Sequence, residues 1–437
     1  MDPVAGADPV AGADPVAGAG SVAGAGSVAG AGSVAGAGDD LLRRTASNRL
    51  TWAVWLGSAA VVAAAGVRWW SSTPITRIDY YVYSGAVSFA REGGSLYDYA
   101  YDVLGLPFLY PPFAALILWP TAELPDRTGE LLWAGVTMVS CVAFLAVVGR
   151  EFAPVVARRW PASPLADHRL VIPLVIAAGI WAMPATLNAR LGQVNALMAA
   201  LVVLDVWLIR RSPGRLAGVA GLGTGLAAAI KLTPAALVPY FALARRRREA
   251  AIAVGTAVAV TLAASVVYPS DTWRFFTVEV FSTDRAPDVA IVFNHSIRRF
   301  ASWVPDERAE LIIWALLGVA VLIWAYRRAV QADRSGDVML ATTLVMLATY
   351  LVNPLTWGHH LFFLIPATLW WLATSDVWWR WAVGAAAVVS LFDPIGGGET
   401  SEMTVLRVAV MAVMLAAMPT DAVGAESEPQ RVQQAVE

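Results

Sequence analysis

The 437-residue chain has little charge, one cysteine and four histidines. Charged residues make up 15% and hydrophobic residues 58%, where soluble domains carry roughly 25% charge. That deficit leaves too few charges to cover a water-facing globule. A lone cysteine, Cys141 in an apolar run, excludes an intramolecular disulfide and a cysteine-based metal site. The net charge of −2 gives no support for nucleic-acid binding. No D-x-D carboxylate pair, no G-x-x-x-x-G-K-[ST] phosphate loop and no H-E-x-x-H metal motif occurs. The charged start and apolar core of a signal peptide are also missing.

What the chain has instead is apolar runs of roughly 15 to 22 residues, close to the length that crosses a bilayer core. Tryptophans gather at the ends of these runs (Trp69, Trp70, Trp119, Trp370, Trp371, Trp378, Trp379, Trp381), as rings at headgroup level do. Residues 2–38 repeat DPVAGA and then GSVAGA, a pattern with no amphipathic face, which predicts a disordered tail over residues 1–40. A span over 50–67 follows Arg43, Arg44 and Arg49, which keep the N-terminus in the cytoplasm. Further apolar stretches lie near 111–122, 129–149, 170–187, 193–209, 216–230, 233–244, 249–267, 310–326, 338–352, 359–374, 378–392 and 402–418. They predict an all-α integral membrane bundle of about twelve spans over 41–420, with a short cytoplasmic tail at 421–437.

Two basic anchors orient it. Arg210, Arg211 and Arg215 precede the 216–244 pair and Arg245 to Arg248 follow it, so the Lys231–Pro234 turn points outward. Counting onward puts 268–309 and 353–360 outside; counting backward puts Gln193–Asn195 at an outer end. Counting from the N-terminus puts 68–110 outside but disagrees with the later count by one crossing. Either 111–122, bracketed by Pro111, Pro112 and Pro120, is re-entrant, or 170–187 is interrupted at Pro173 and Pro184.

On this topology the unusual polar residues share the outer face: Asp79, Tyr110, Gln193, Asn195, Lys231, Asn294, His295, Trp357, His359 and His360. Ionisable residues clustered at span ends are functional candidates. Asp79 reads either as a surface carboxylate paired with Arg77 or as a general base whose pKa is raised by a partly desolvated site. Lys231 reads as a snorkelling side chain or as a point charge for a lipid phosphate. The outer arginines Arg68, Arg77, Arg298 and Arg299 suit phosphate recognition or phospholipid headgroups. Neighbouring residues on a helix differ by about 100°, so one of His359 and His360 faces the cavity while the other faces headgroups or caps the helix. Asp98 and Asp102, in a Tyr-rich loop, read as solvated. GLGTG at 221–225 reads as close helix packing rather than a cofactor loop.

Six elements in order give a resemblance: Asp79-x-x-Val-Tyr ending at Tyr83, YPPFAA at 110–115, GQVN at 192–195, KLTP at 231–234, Asn294-x-Ser and the Trp-x-His-His of 357–360. Over roughly residues 75–365 the chain resembles glycosyltransferase family 87, polytopic actinobacterial mannosyltransferases of the GT-C fold. His295 stands where that family commonly has Gln. The resemblance implies transfer of mannose from a polyprenyl-phosphate β-mannoside to a glycolipid acceptor in the outer leaflet of the plasma membrane, with inversion to an α-(1→2) linkage. It implies Asp79 as base and His360 as the first choice for stabilising the leaving phosphate, with Tyr83, Tyr110, Gln193, Asn195, Lys231, Asn294, His295, Arg298, Trp357 and His359 around the substrates. A lipid phosphate leaves readily, so neither a second carboxylate acting as acid nor a cofactor or metal is required. Decaprenyl-phosphate-arabinose remains an alternative donor. A lipid or sugar transporter is the rival class, disfavoured because the halves lack internal similarity and the polar residues sit at one face.

Overall fold

Inside hydrocarbon every backbone N–H and C=O needs a partner within the protein, and a chain this apolar finds them in helices. The computed structural model describes residues 31–71, 77–101, 105–211, 218–282, 290–392 and 400–420. The expected N-terminal tail up to residue 30, Asp102 and the expected tail at 421–437 lie outside the described residues. Residues 1–50 and 51–437 form separate units. Helix α1 (Ala31–Ser71) starts in the first; its stretch Asn48–Ser71 is long and apolar enough to cross a membrane.

Helix α2 (Ile78–Arg91) buries Tyr80, Val82, Tyr83, Ala86 and Val87. A minimal antiparallel ladder then pairs Ala100 with Pro107 and Tyr101 with Leu106. Helix α3 (Pro112–Ala122) starts on a proline whose fixed φ suits the first turn. Eleven residues rise about 16 Å against a core of about 30 Å, so α3 is too short to cross alone. Helix α4 (Asp126–Arg159) has Asp126 in its first turn and Arg158 and Arg159 in its last, the signs that complement its dipole. Helices α5 (His168–Gly179) and α6 (Met183–Leu191) make one apolar stretch bent by 52°. Pro184 lies at the start of α6 and offers no N–H to continue the α5 ladder.

Helices α7 (Asn195–Arg210) and α8 (Leu222–Ile230) pack through their backbones. The buried Asp205 carboxylate of α7 accepts the N–H groups of Gly221, Gly223 and Thr224 at 2.8, 3.1 and 2.7 Å, satisfying donors that α8 leaves free. A Cβ on Gly223 would lie 2.0 Å from the Leu201 carbonyl oxygen, and one on Gly225 2.5 Å from that of Ala253. The glycines of GLGTG therefore serve close packing. Gly223→Val is expected to destabilise the protein by about 1–3 kcal/mol, the usual cost of overpacking, measured as a lower melting temperature in detergent.

A 3₁₀ turn at Thr233–Ala236 leads into α9 (Leu237–Leu243), and α10 (Arg247–Val267), α11 (Pro269–Thr277), α12 (Arg298–Ala301) and α13 (Glu307–Arg334) follow. Helix α14 (Val338–Val352) is buried on all sides from Val338 to Leu351, which places it inside the bundle. Helices α15 (Leu364–Ala373), α16 (Trp378–Phe392) and α17 (Ser401–Ala417) complete the chain's described part. Among the described residues four helices, or five with the bent pair, are long and apolar enough to cross a membrane. Several other apolar stretches are broken by prolines or 3₁₀ turns, so length alone does not mark all twelve expected spans. The protein is an all-α polytopic membrane protein.

Candidate active site

Gly192 ends α6 in the left-handed region (φ 73°), and its carbonyl accepts the Trp133 indole N–H at 2.8 Å. A Cβ there would lie 2.6 Å from that of Tyr80, so this turn presses directly on the first turn of α2. The contact sets Gln193 beside Asp79. Gln193 Nε2 donates to Asp79 Oδ2 at 2.8 Å. Gln193 Oε1 faces the hydroxyls of Tyr83 and Tyr110 at 2.9 and 3.1 Å and Asn195 Nδ2 at 3.3 Å. The amide is thus fixed in one orientation, with its donor side on the carboxylate.

Lys231 caps the C-terminus of α8 in extended conformation. Its Nζ lies 3.4 Å from Asn195 Oδ1, 2.8 Å from His360 Nε2 and 5.3 Å from the Tyr110 ring centre. His360 Nδ1 accepts the Trp357 backbone N–H at 3.1 Å. With Nδ1 an acceptor, a neutral ring carries its proton on Nε2, which donates to Lys231 Nζ when that amine is neutral. His359 stacks on Trp357 with centroids 6.1 Å apart, and Trp357 stacks on Phe293 at 5.7 Å. The two histidines meet edge to face at 4.6 Å.

A cavity of about 640 Å³ joins these groups; Asp79, Tyr83, Tyr110, Lys231, Trp357 and both histidines line it. Both rings line it, edge to face at the 3₁₀ turn Gly358–His360, contrary to the expectation that only one would. Burial raises the Asp79 carboxyl to about 6, opposed by the Gln193 hydrogen bond and the Lys231 charge. Burial, then the nearby Lys231 charge, holds both histidines well below the usual imidazole range. Among the described residues no group of three or more His, Cys, Asp or Glu side chains is placed to hold a metal ion.

The family model for glycosyltransferase family 87 matches residues 108–354. The chain belongs to glycosyltransferase family 87. Similar proteins extend the match. The chain is 31% identical over 355 residues (78% of its length, 80% of the relative) to a polyprenol-phosphate-mannose-dependent alpha-(1-2)-phosphatidylinositol mannoside mannosyltransferase of Mycobacterium tuberculosis. It is 32% identical over 305 residues (68% and 69%) to the corresponding phosphatidylinositol pentamannoside mannosyltransferase of Mycolicibacterium smegmatis. No solved structure matches. The protein is a glycosyltransferase. The family 87 match includes Tyr110, Gln193, Asn195, Lys231 and the 294–298 segment, while Asp79 and Trp357 to His360 lie outside it.

Four predicted site residues of this family 87 chain, Asn195, Asn294, His295 and Arg298, are not among the residues that line this cavity. Asn294 Nδ2 donates to Pro354 O and its Oδ1 accepts Thr356 N–H, both at 3.0 Å, stitching its loop to the one that carries the histidines. His295 donates its backbone N–H to Thr356 O at 2.7 Å, and its ring lies 3.3 Å from Arg407 of α17. Arg298 pairs with Glu310 at 3.2 Å and covers Trp314. Arg77 pairs with Glu130 and donates to Trp69 O, so it is not the partner of Asp79. Asp98 is exposed but paired with Arg274 at 2.6 Å. One residue the sequence reading passed over is Asn188. Its side chain bonds both Gln193 O and Ala196 N, bracing the turn between α6 and α7. An amide within an apolar run was the signal for it.

Proposed function

We propose that the chain transfers mannose from a polyprenyl-phosphate β-mannoside to a phosphatidylinositol mannoside or lipomannan-type glycolipid at the outer face of the plasma membrane. The transfer inverts the anomeric carbon and forms an α-(1→2) linkage. The observation that carries this reading is Asp79 sharing one cavity with the Lys231–His360 pair. The acceptor hydroxyl gives its proton to Asp79 and its oxygen attacks the anomeric carbon. The bond from that carbon to the phosphate oxygen breaks, and the phosphate leaves with the electron pair. Lys231 and His360 stand side by side on the cavity wall, where both can turn N–H groups to one phosphate oxygen. The printed names of the relatives support the donor, the acceptor class and the linkage.

A second cavity of about 510 Å³ shares Leu109 and Lys231 with the first and passes Leu322, Tyr326 and Val352; we assign it to the donor's prenyl chain. Taking α1, α4, the bent α5–α6 pair, α7, α8, the 3₁₀ turn with α9, α10, α13, α14, α15, α16 and α17 as crossings, with α3 re-entrant, gives about twelve. It also reconciles the two topology counts. That reading supports a GT-C bundle over 41–420, with the site outside and short tails on either side.

Membranes carrying the chain, given radiolabelled polyprenyl-phosphate-mannose and phosphatidylinositol mannosides, should form a labelled lipid that an α-(1→2)-specific mannosidase strips. Label arriving only from decaprenyl-phosphate-arabinose would move the reading to arabinosyl transfer, and label from neither would sink it. Gln193→Glu adds a second carboxylate against Asp79. Like charge raises the pKa of the pair, so the rising limb of the rate–pH profile should move to higher pH; an unmoved limb would separate Asp79 from the rate.

A further inference from the structure

Helix α7 has Asn195 of the transfer site at one end and Arg210 at the other, roughly 22 Å along its axis. At the Arg210 end a cavity of about 500 Å³ opens between Arg150 and Glu151 of α4, His168 of α5, and Trp207, Arg210 and Arg211. Its charges do not cancel. Arg210 is committed, with Nε on Glu151 at 3.1 Å and Nη1 on Gly336 O at 2.8 Å. Arg211 lies over the Trp207 ring at 4.3 Å. Among the described residues neither Arg150 nor Arg211 has an ion-paired or hydrogen-bonded carboxylate. The lining also includes the apolar Ala153, Pro154, Ala157 and Ile172, and Leu165 and Leu174 of the same stretch of chain are exposed.

Two guanidinium groups without a paired carboxylate, in a cavity whose lining is otherwise partly apolar and at span ends, match a phosphate joined to an acyl chain. Arg158 and Arg159 end α4 on the same side, which the positive-inside rule assigns to the cytoplasm. We propose that this cavity binds the phosphate headgroup of an anionic phospholipid of the cytoplasmic leaflet. The phosphate sits on Arg150 and Arg211, an acyl chain lies along α5, and the lipid ties the ends of α4, α5 and α7 together. A free phosphate offers the same headgroup chemistry without the chain.

The test is native mass spectrometry of the full-length protein in detergent, with phosphatidylglycerol, phosphatidylcholine or glycerol 3-phosphate added. The wild type should retain phosphatidylglycerol preferentially. The double variant Arg150→Gln/Arg211→Gln should lose that preference by roughly an order of magnitude, as expected for two interfacial arginines. A control pair elsewhere, Arg327→Gln/Arg334→Gln, should keep it. Equal retention of both lipids by the wild type, an equal loss in the control pair, or glycerol 3-phosphate displacing the lipid at equal concentration would each overturn the proposal. If the double variant fails to fold, the single variants Arg150→Gln and Arg211→Gln are compared with the control in the same way, and unchanged preference in both overturns the proposal.

Discussion

Asp79→Asn is expected to cut mannosyl transfer by roughly 10²–10⁴-fold, the usual contribution of a general base, while the protein folds as before. The amide is nearly isosteric, and its oxygen still accepts from Gln193 Nε2, which lies 2.8 Å from the native carboxylate. It cannot take the acceptor's proton. Initial rates at matched protein levels, with melting temperatures beside them, check this; equal rates would assign the base to another group. A pH profile adds a second reading. The carboxylate is the active form, and burial lifts its pKa to about 6. The wild-type rate should therefore climb as pH rises through about 6 and level off above it.

The second large effect is expected at the Lys231–His360 pair. Lys231→Met and His360→Ala should each lower kcat by roughly 10²–10³-fold, the scale of losing one preorganised donor to a developing anion. The two nitrogens lie 2.8 Å apart and serve one phosphate in the proposed reaction. Their losses should therefore not multiply, and the double variant should sit within about tenfold of the worse single one. Full multiplication would mean that they act on different groups. Effects on KM alone would give the pair a binding role without a part in the departure of the phosphate.

The polar cluster was legible because charge and amides stand out against apolar sequence. Asp79, Gln193, Lys231 and His360 are such residues, and the fold gathers them around one cavity. Partners were less legible than residue types. Asn294 and Arg298 look like ligand-binding groups in a loop, yet one stitches two loops together and the other pairs with Glu310. A sequence shows that such a side chain needs a partner without showing whether that partner is protein or substrate. Helical periodicity also misled at His359 and His360, whose rings meet edge to face and both line a cavity wide enough to take them. The Asp205 cap on α8 joins residues far apart in the chain, and no local pattern announces it.

The side-chain amide of Gln193 lies between Asp79 and the tyrosine hydroxyls. An amide passes on orientation but is a poor relay for protons, since its nitrogen does not readily give one up. Tyr83 and Tyr110 therefore orient the amide that holds Asp79 without offering its proton a route away. In the proposed reaction a proton collected at Asp79 leaves through the cavity that the carboxyl group lines, so restoring the base depends on what next enters that cavity.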